Sequence, residues 1–170
     1  KAKTKALSME VSHDGEQFST LGPDRKVRVF RFATGKLRCV IDETLESAND
    51  VQRAGAAAYK LEDIDFGRRL AVDREMGNNP DLEVGFPNAI FDESGNFLLY
   101  STLLGVKVIN LVTSRCARII GKVENTERFM RLAMFQGVPQ KDKRSRGSGK
   151  DTTQTVEKDP TLVCSAFHKT

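Results

Sequence analysis

Metal ligands of the softer kind are scarce in this chain. It holds two histidines and three cysteines, and no two cysteines form a Cys-x-x-Cys pair, which argues against a zinc site. Cys39, Cys116 and Cys164 are an odd number with no spacing pattern. That excludes a disulfide framework and points to a reducing compartment, cytosol or nucleus. No apolar run approaches the roughly 20 residues that a membrane-spanning helix needs. The start, Lys1-Ala2-Lys3-Thr4-Lys5, is basic, but Ser8 and Glu10 interrupt any apolar signal core behind it. Tryptophan is absent altogether. The first residue is not methionine and the pattern breaks off at Thr170, so the chain reads as a segment of a longer protein.

Charge is plentiful but nearly balanced, leaving a formal +4 at neutral pH. Much of the surplus is local. Lys141 to Lys150 reads KDKRSRGSGK, with Asp142 as its only acid, and such a run reads as a solvated loop. Val156 is the one apolar residue between Val138 and Lys158, too little to offset the entropy of ordering the stretch. If this loop makes a contact, Lys141, Lys143, Arg144 and Arg146 carry it, toward an acidic partner.

What the chain does contain is a repeat. Leu7 to Ile41, LSMEVSHDGEQFSTLGPDRKVRVFRFATGKLRCVI, aligns with Asn88 to Ile120, NAIFDESGNFLLYSTLLGVKVINLVTSRCARII. Gly15 falls on Gly95, and Val27 on Val106 once one residue is dropped. Each copy predicts four short strands separated by turns. In the first they are Leu7 to Val11, Gln17 to Leu21, Lys26 to Phe32 and Leu37 to Ile41; in the second, Ala89 to Phe91, Phe97 to Ser101, Val106 to Leu111 and Cys116 to Ile120. Gly15 and Gly95 serve tight turns, and Asp24 is the structural acceptor of the turn Gly22-Pro23-Asp24-Arg25. Val27-Arg28-Val29-Phe30-Arg31-Phe32 matches Val106-Lys107-Val108-Ile109-Asn110-Leu111 in polarity at each step. Apolar residues take positions one, three, four and six of this word, so both faces of the sheet carry apolar groups, as in a sheet packed between neighbours.

Sets of four short strands, about 40 residues per set, describe β-propeller blades. The fold expected is mainly β: an incomplete propeller of two blades plus the start of a third, with a helical insertion. Residues 1–43 form one blade, 44–86 the insertion, and 87–124 the second blade. Residues 125–158 are an irregular segment with the basic flexible loop, and 159–170 the first strand of a further blade, cut short. Leu61 to Met76 has helical spacing, and Gly77-Asn78-Asn79-Pro80 ends it. Too few blades to close a ring leave outer faces uncovered, expected near Val27, Val29, Val106 and Val108.

The first copy resembles a WD repeat: His13-Asp14-Gly15 stands where Pro-Asp-Gly is common, Gly22-Pro23-Asp24 at the turn with the structural Asp, and Phe30 where Trp names the family. No Gly-His pair precedes either copy, and Ile109 replaces the aromatic in the second. The irregular parts extend the likeness. Phe66-Gly67-Arg68-Arg69-Leu70-Ala71-Val72-Asp73-Arg74-Glu75, then Phe91 to Tyr100, Leu104 to Asn110, and Asp159-Pro160-Thr161-Leu162-Val163-Cys164 resemble the nuclear cyclophilins, plant members above all, that join N-terminal WD repeats to a peptidylprolyl isomerase domain. The resemblance implies a nuclear protein working with spliceosomal or chromatin components, its isomerase domain lying beyond Thr170.

No catalytic residue is expected within the chain. Runs such as Phe-His-Arg and Gly-Ser-Gln-Phe-Phe, which carry the proline pocket of cyclophilins, do not occur. Arg68 and Arg69 lie on the expected helix as a solvated or salt-bridged face. Gly147-Ser148-Gly149-Lys150 lacks the first glycine and the strand–loop–helix setting of a phosphate-binding loop. Arg128, Phe129, Arg131 and Phe135 mix bases and aromatics as an RNA platform would, but Met130, Leu132 and Met134 make core packing the better reading. No cofactor and no metal site are expected, nor any membrane contact. The function expected is a protein-interaction scaffold, the WD-repeat segment of a peptidylprolyl cis-trans isomerase. The alternative is a basic nucleic-acid-associated WD-repeat module whose parent has no isomerase domain, acting through Lys141 to Lys150 with steep salt dependence.

Overall fold

The computed structural model describes residues 3–55, 59–78, 87–124, 127–138, 158 and 160–168. The described fold is mainly β, with antiparallel sheets and two helices. Strands β1 (Ser8–Val11), β2 (Gln17–Leu21), β3 (Lys26–Arg31) and β4 (Leu37–Asp42) form a four-stranded meander, each paired with the next. Helices α1 (Leu45–Ala54) and α2 (Asp63–Asn78) follow. A second meander comprises β5 (Ala89–Phe91), β6 (Phe97–Thr102), β7 (Gly105–Asn110) and β8 (Arg115–Ile120). A two-stranded sheet closes the chain, β9 (Glu127–Phe135) with β10 (Thr161–His168).

The two meanders share hydrogen bonds at equivalent places. Ser12 N–H donates to the Gln17 carbonyl at 2.9 Å and Asp92 N–H to the Phe97 carbonyl at 3.1 Å. Phe32 N–H reaches the Glu16 carbonyl and Leu111 N–H the Asn96 carbonyl, each at 2.8 Å. The strand register shifts between Val29 and Phe30 in the first sheet and between Val108 and Ile109 in the second. That shared irregularity lies at the two adjacent apolar positions of the six-residue word, which point to opposite faces.

Opposite faces pack on different neighbours. From the first sheet Leu21, Val27 and Val29 meet Ala89, Leu98, Tyr100, Ile109 and Leu111 of the second, forming one core. Leu99 and Val106, on the far face of the second sheet, join Leu132 of β9, with Val108, Phe129, Met134 and Leu162 packed around them. The sheets therefore stack in chain order, and the second is covered on both faces. The expectation of bare valines fails on this point. Val27 and Val29 are 0% exposed and Val106 2%, because each points at the next sheet in the stack. The exposed apolar groups include Met9, Val11, Phe32, Leu37 and Val40 on the opposite side of the first sheet, and Phe135 and Val163 on the last. Phe18 and Phe30 stack on that open face with centroids 4.9 Å apart.

Residues 127–135, within the stretch read as irregular, form a strand. Met130 and Leu132 are buried and Arg131 and Ala133 exposed, an alternation present in the sequence but hidden by the density of apolar residues. Thr161–His168 is accordingly the second strand of its sheet, paired to β9 from Thr161 opposite Phe135. The insertion has two helices. Thr44 caps α1, its hydroxyl accepting from Ser47 N–H at 3.3 Å, and Gly55 ends it with φ of 70°. Gln52 then brackets the approach to α2, donating to the Leu61 carbonyl at 2.8 Å and accepting from Leu61 N–H at 3.0 Å.

Candidate functional site

The turn residues singled out from the sequence sit at the ends of the strands. Gly15 and Gly95 have φ of 69° and 66°, the left-handed region where a side chain is strained. Asp24 accepts from Lys26 N–H at 3.3 Å and pairs with the Arg28 guanidinium. That Arg28 contact, helped by Lys26 N–H and opposed by partial burial, holds the Asp24 carboxyl below the usual carboxylate range. Lys141, Lys143, Arg144 and Arg146 lie outside the described residues. Among the described residues no cluster of histidine, cysteine, aspartate and glutamate could hold a metal ion, and no helix is long and apolar enough to cross a membrane.

The most connected polar site was not singled out from the sequence. Asp73 of α2 is 2% exposed and lies between two guanidiniums. Arg25, from the β2–β3 turn, binds one carboxylate oxygen, and Arg128 Nε, at the start of β9, binds the other at 2.6 Å. Arg25 also donates to the Asp73 carbonyl at 3.2 Å. Burial alone would raise the Asp73 carboxyl; Arg128 and Arg25 reverse this and hold it below its ordinary value. One carboxylate on the insertion thus ties the first sheet to the last.

Arg69, expected on a solvated or salt-bridged face, is 6% exposed. It donates to the Leu103 carbonyl at 3.2 Å and the Lys122 carbonyl at 2.6 Å. Carbonyls left unpaired by tight strand ends attract a guanidinium more strongly than solvent does in a buried place, while Arg68 beside it stays exposed, 3.9 Å from Asp65. Glu43 at the end of β4 accepts from the Tyr100 hydroxyl at 2.7 Å and pairs with Lys107 at 2.7 Å. Burial, then the Glu43 carboxylate, pushes the Tyr100 hydroxyl far above its ordinary value, so it stays a neutral donor.

Glu43, Tyr100 and Lys107, together with Asp73 and its two arginines, line a cavity of about 650 Å³ between the helices and the sheet ends. Its wall is apolar, from Leu21, Leu45, Val51, Leu103, Leu104 and Met130, and its polar lining includes Arg25, Asp73, Arg74, Glu43, Lys107 and Arg128. A concave apolar site with a few convergent polar groups is what ligand and peptide sites are built from. A signal for it was present in Leu103-Leu104 and Arg25, but nothing in the sequence brings residues 25, 73 and 128 together.

No family model matches the chain. Its relatives are named as peptidyl-prolyl cis-trans isomerases, some of them with WD repeats in the name, and they match over nearly the whole chain. Peptidyl-prolyl cis-trans isomerase CYP71 of Arabidopsis thaliana is 50% identical over 173 residues, which are 99% of this chain and 27% of that protein. The human peptidylprolyl isomerase domain and WD repeat-containing protein 1 is 45% identical over 175 residues, 99% of this chain and 26% of its own length. Peptidyl-prolyl cis-trans isomerase 9 of Schizosaccharomyces pombe is 34% identical over 181 residues, covering 99% of the chain and 29% of the relative. The chain therefore spans about a quarter of the length of the curated relatives it matches, 26–29% in these three.

Proposed function

We propose that the chain is the WD-repeat region of a cyclophilin-type peptidyl-prolyl isomerase, and that its role is to hold protein partners. In this reading the two meanders are propeller blades and β9–β10 opens a third. The observation that carries it is the translation of packing along the stack. Val27 and Val29 of the first sheet point at the second, and their counterparts Val106 and Val108 point at the third. Equivalent faces meeting the next unit in order is the packing rule of a repeat architecture. The match to relatives whose names join an isomerase domain to WD repeats supports the same reading.

Isomerase activity is proposed for the whole protein, not for the residues of this chain. The partners are spliceosomal or chromatin proteins and the compartment is the nucleus. A proline-isomerisation assay tests the division of labour. This chain should leave the exchange of an Xaa-Pro peptide at its uncatalysed pace, tens to hundreds of seconds; acceleration by the chain would place isomerase chemistry within it and overturn the scaffold reading.

A further inference from the structure

We infer that the cavity between the helices and the sheet ends docks an acidic peptide segment of a protein partner, with a leucine-sized side chain against the apolar wall and a carboxylate on the arginines. The inference rests on the scaffold reading and names the chemistry of its partner.

The volume, about 650 Å³, falls in the range of sites that enclose a ligand, on the order of 300–1,000 Å³. Leucine-type groups entering it replace water against Leu21, Leu45, Val51, Leu103 and Leu104. Charge then selects among apolar peptides. Lys107 and Glu43 pair with each other, so they cancel. Asp73 is a single negative charge shared by Arg25 and Arg128, so that cluster carries a surplus positive charge. Arg74, on the same lining, is exposed and has no ion-pair or hydrogen-bond partner among the described residues. Guanidiniums beside a low-dielectric wall gain most from a carboxylate, which accepts charge-assisted hydrogen bonds in fork geometry. A basic peptide would meet like charge there. A nucleic acid would supply anions but no match for the wall: Tyr100 is the one aromatic ring among the described lining residues, and its hydroxyl is held by Glu43, so bases have no stacking platform.

The test uses the full-length protein and fluorescence anisotropy of a short labelled peptide built of glutamates and leucines. Two control peptides replace the glutamates by lysines or the leucines by alanines. The acidic leucine peptide should bind and each control at least tenfold more weakly, since one charge-assisted contact is worth roughly a factor of ten or more. Arg74→Glu should weaken binding by at least tenfold with the melting temperature unchanged. Ser47→Phe, which fills the cavity from α1, should do the same through volume. Equal binding of the lysine peptide would overturn the inference. So would binding that both variants leave untouched, displacement of the peptide by a single-stranded oligonucleotide, or no binding at millimolar peptide. The scaffold reading fails separately, by isomerisation in the chain itself; absent peptide binding with an uncatalysed exchange rate overturns the ligand assignment alone.

Discussion

The two meanders are the same design finished in different ways. The first, β1–β4, ties its strand ends with charge: Asp24 to Arg28, and Lys26 to Asp42 at 2.7 Å. The second, β5–β8, has Gly105 and Gly121 at the places of Lys26 and Asp42, with φ of 125° and 70°, and its turn is fastened by the Thr102 hydroxyl, which accepts from Leu104 N–H at 3.1 Å. The first sheet is covered on one face by described residues and the second on both. A repeat fixes which residues point to which neighbour, while the means of closing each turn is free to vary.

The largest effect expected lies outside this pair, at the residue that links them. Asp73→Ala leaves Arg25 and Arg128 without their shared anion, and breaking a buried pair by removing one partner costs about 3–5 kcal/mol. Chemical denaturation should show that loss; a change below about 1 kcal/mol, the worth of an exposed pair, would show that the insertion is not what ties the sheets. Next comes the contrast between turns. A Cβ on Gly105 would meet the Ile120 carbonyl oxygen at 2.5 Å in a backbone conformation that side chains rarely adopt, so Gly105→Ala should cost about 3 kcal/mol. Its counterpart change, Lys26→Ala, removes an ion pair whose side chains are 36% and 43% exposed and should cost below about 1 kcal/mol. Equal costs would dissolve the distinction between the two ways of closing a turn. Between these two lies Asp24→Ala, which leaves a turn N–H and the Arg28 guanidinium short of an acceptor; about 1–2 kcal/mol is expected by thermal melting.

Acid separates the sheets by a different route. The Lys26 ammonium, then Thr44, pull the Asp42 carboxyl down to about 2, and Asp24 is also lowered, chiefly by Arg28. Folded values below the unfolded one mean stability that is fully present above about pH 4 to 5 and is lost as pH falls through the folded values. The second sheet has Gly105 and Gly121 at the places of Lys26 and Asp42, and Lys107, the counterpart of Arg28, pairs instead with Glu43 at the end of the first sheet. Amide protection, corrected for the intrinsic pH dependence of exchange and followed from pH 7 to about pH 2, should therefore fall in β1–β4 before β5–β8, by a modest factor given the exposure of these pairs. The reverse order would count against charge as the fastening of the first sheet.

Much of this fold could be read from residue order because turns are local. The eight strands of the meanders were expected to within one residue of where they lie, since Asp-Gly and Gly-Pro-Asp dictate backbone geometry by themselves. The helix α2 was marked by its spacing and by the stop after Gly77. Strand β9 was not, because a run of Phe129 to Phe135 apolar on both sides reads equally as core helix or strand. The polar site was hidden for a deeper reason. Asp73 looks like an ordinary helix acid and Arg69 like an ordinary helix base, and only the stacking of sheets around α2 brings Arg25, Arg128 and the strand-end carbonyls to them. Sequence reports what a residue can do within a few positions; which face is buried is decided by the neighbour.

That neighbour is the subject of the most direct test. Leu37 and Cys116 are counterparts, opposite Phe30 and Ile109 respectively; Cys116 packs against the core between the sheets, and Leu37 is 53% exposed. Introduce Leu37→Cys and follow thiol labelling at positions 37 and 116 by peptide mapping, in this chain and in the whole protein. If the sheets are blades of one propeller, position 37 labels faster than Cys116 in this chain, and slows to the rate of Cys116 in the whole protein, where another sheet covers it. Labelling at position 37 that stays as fast in the folded whole protein as in the chain would contradict the account.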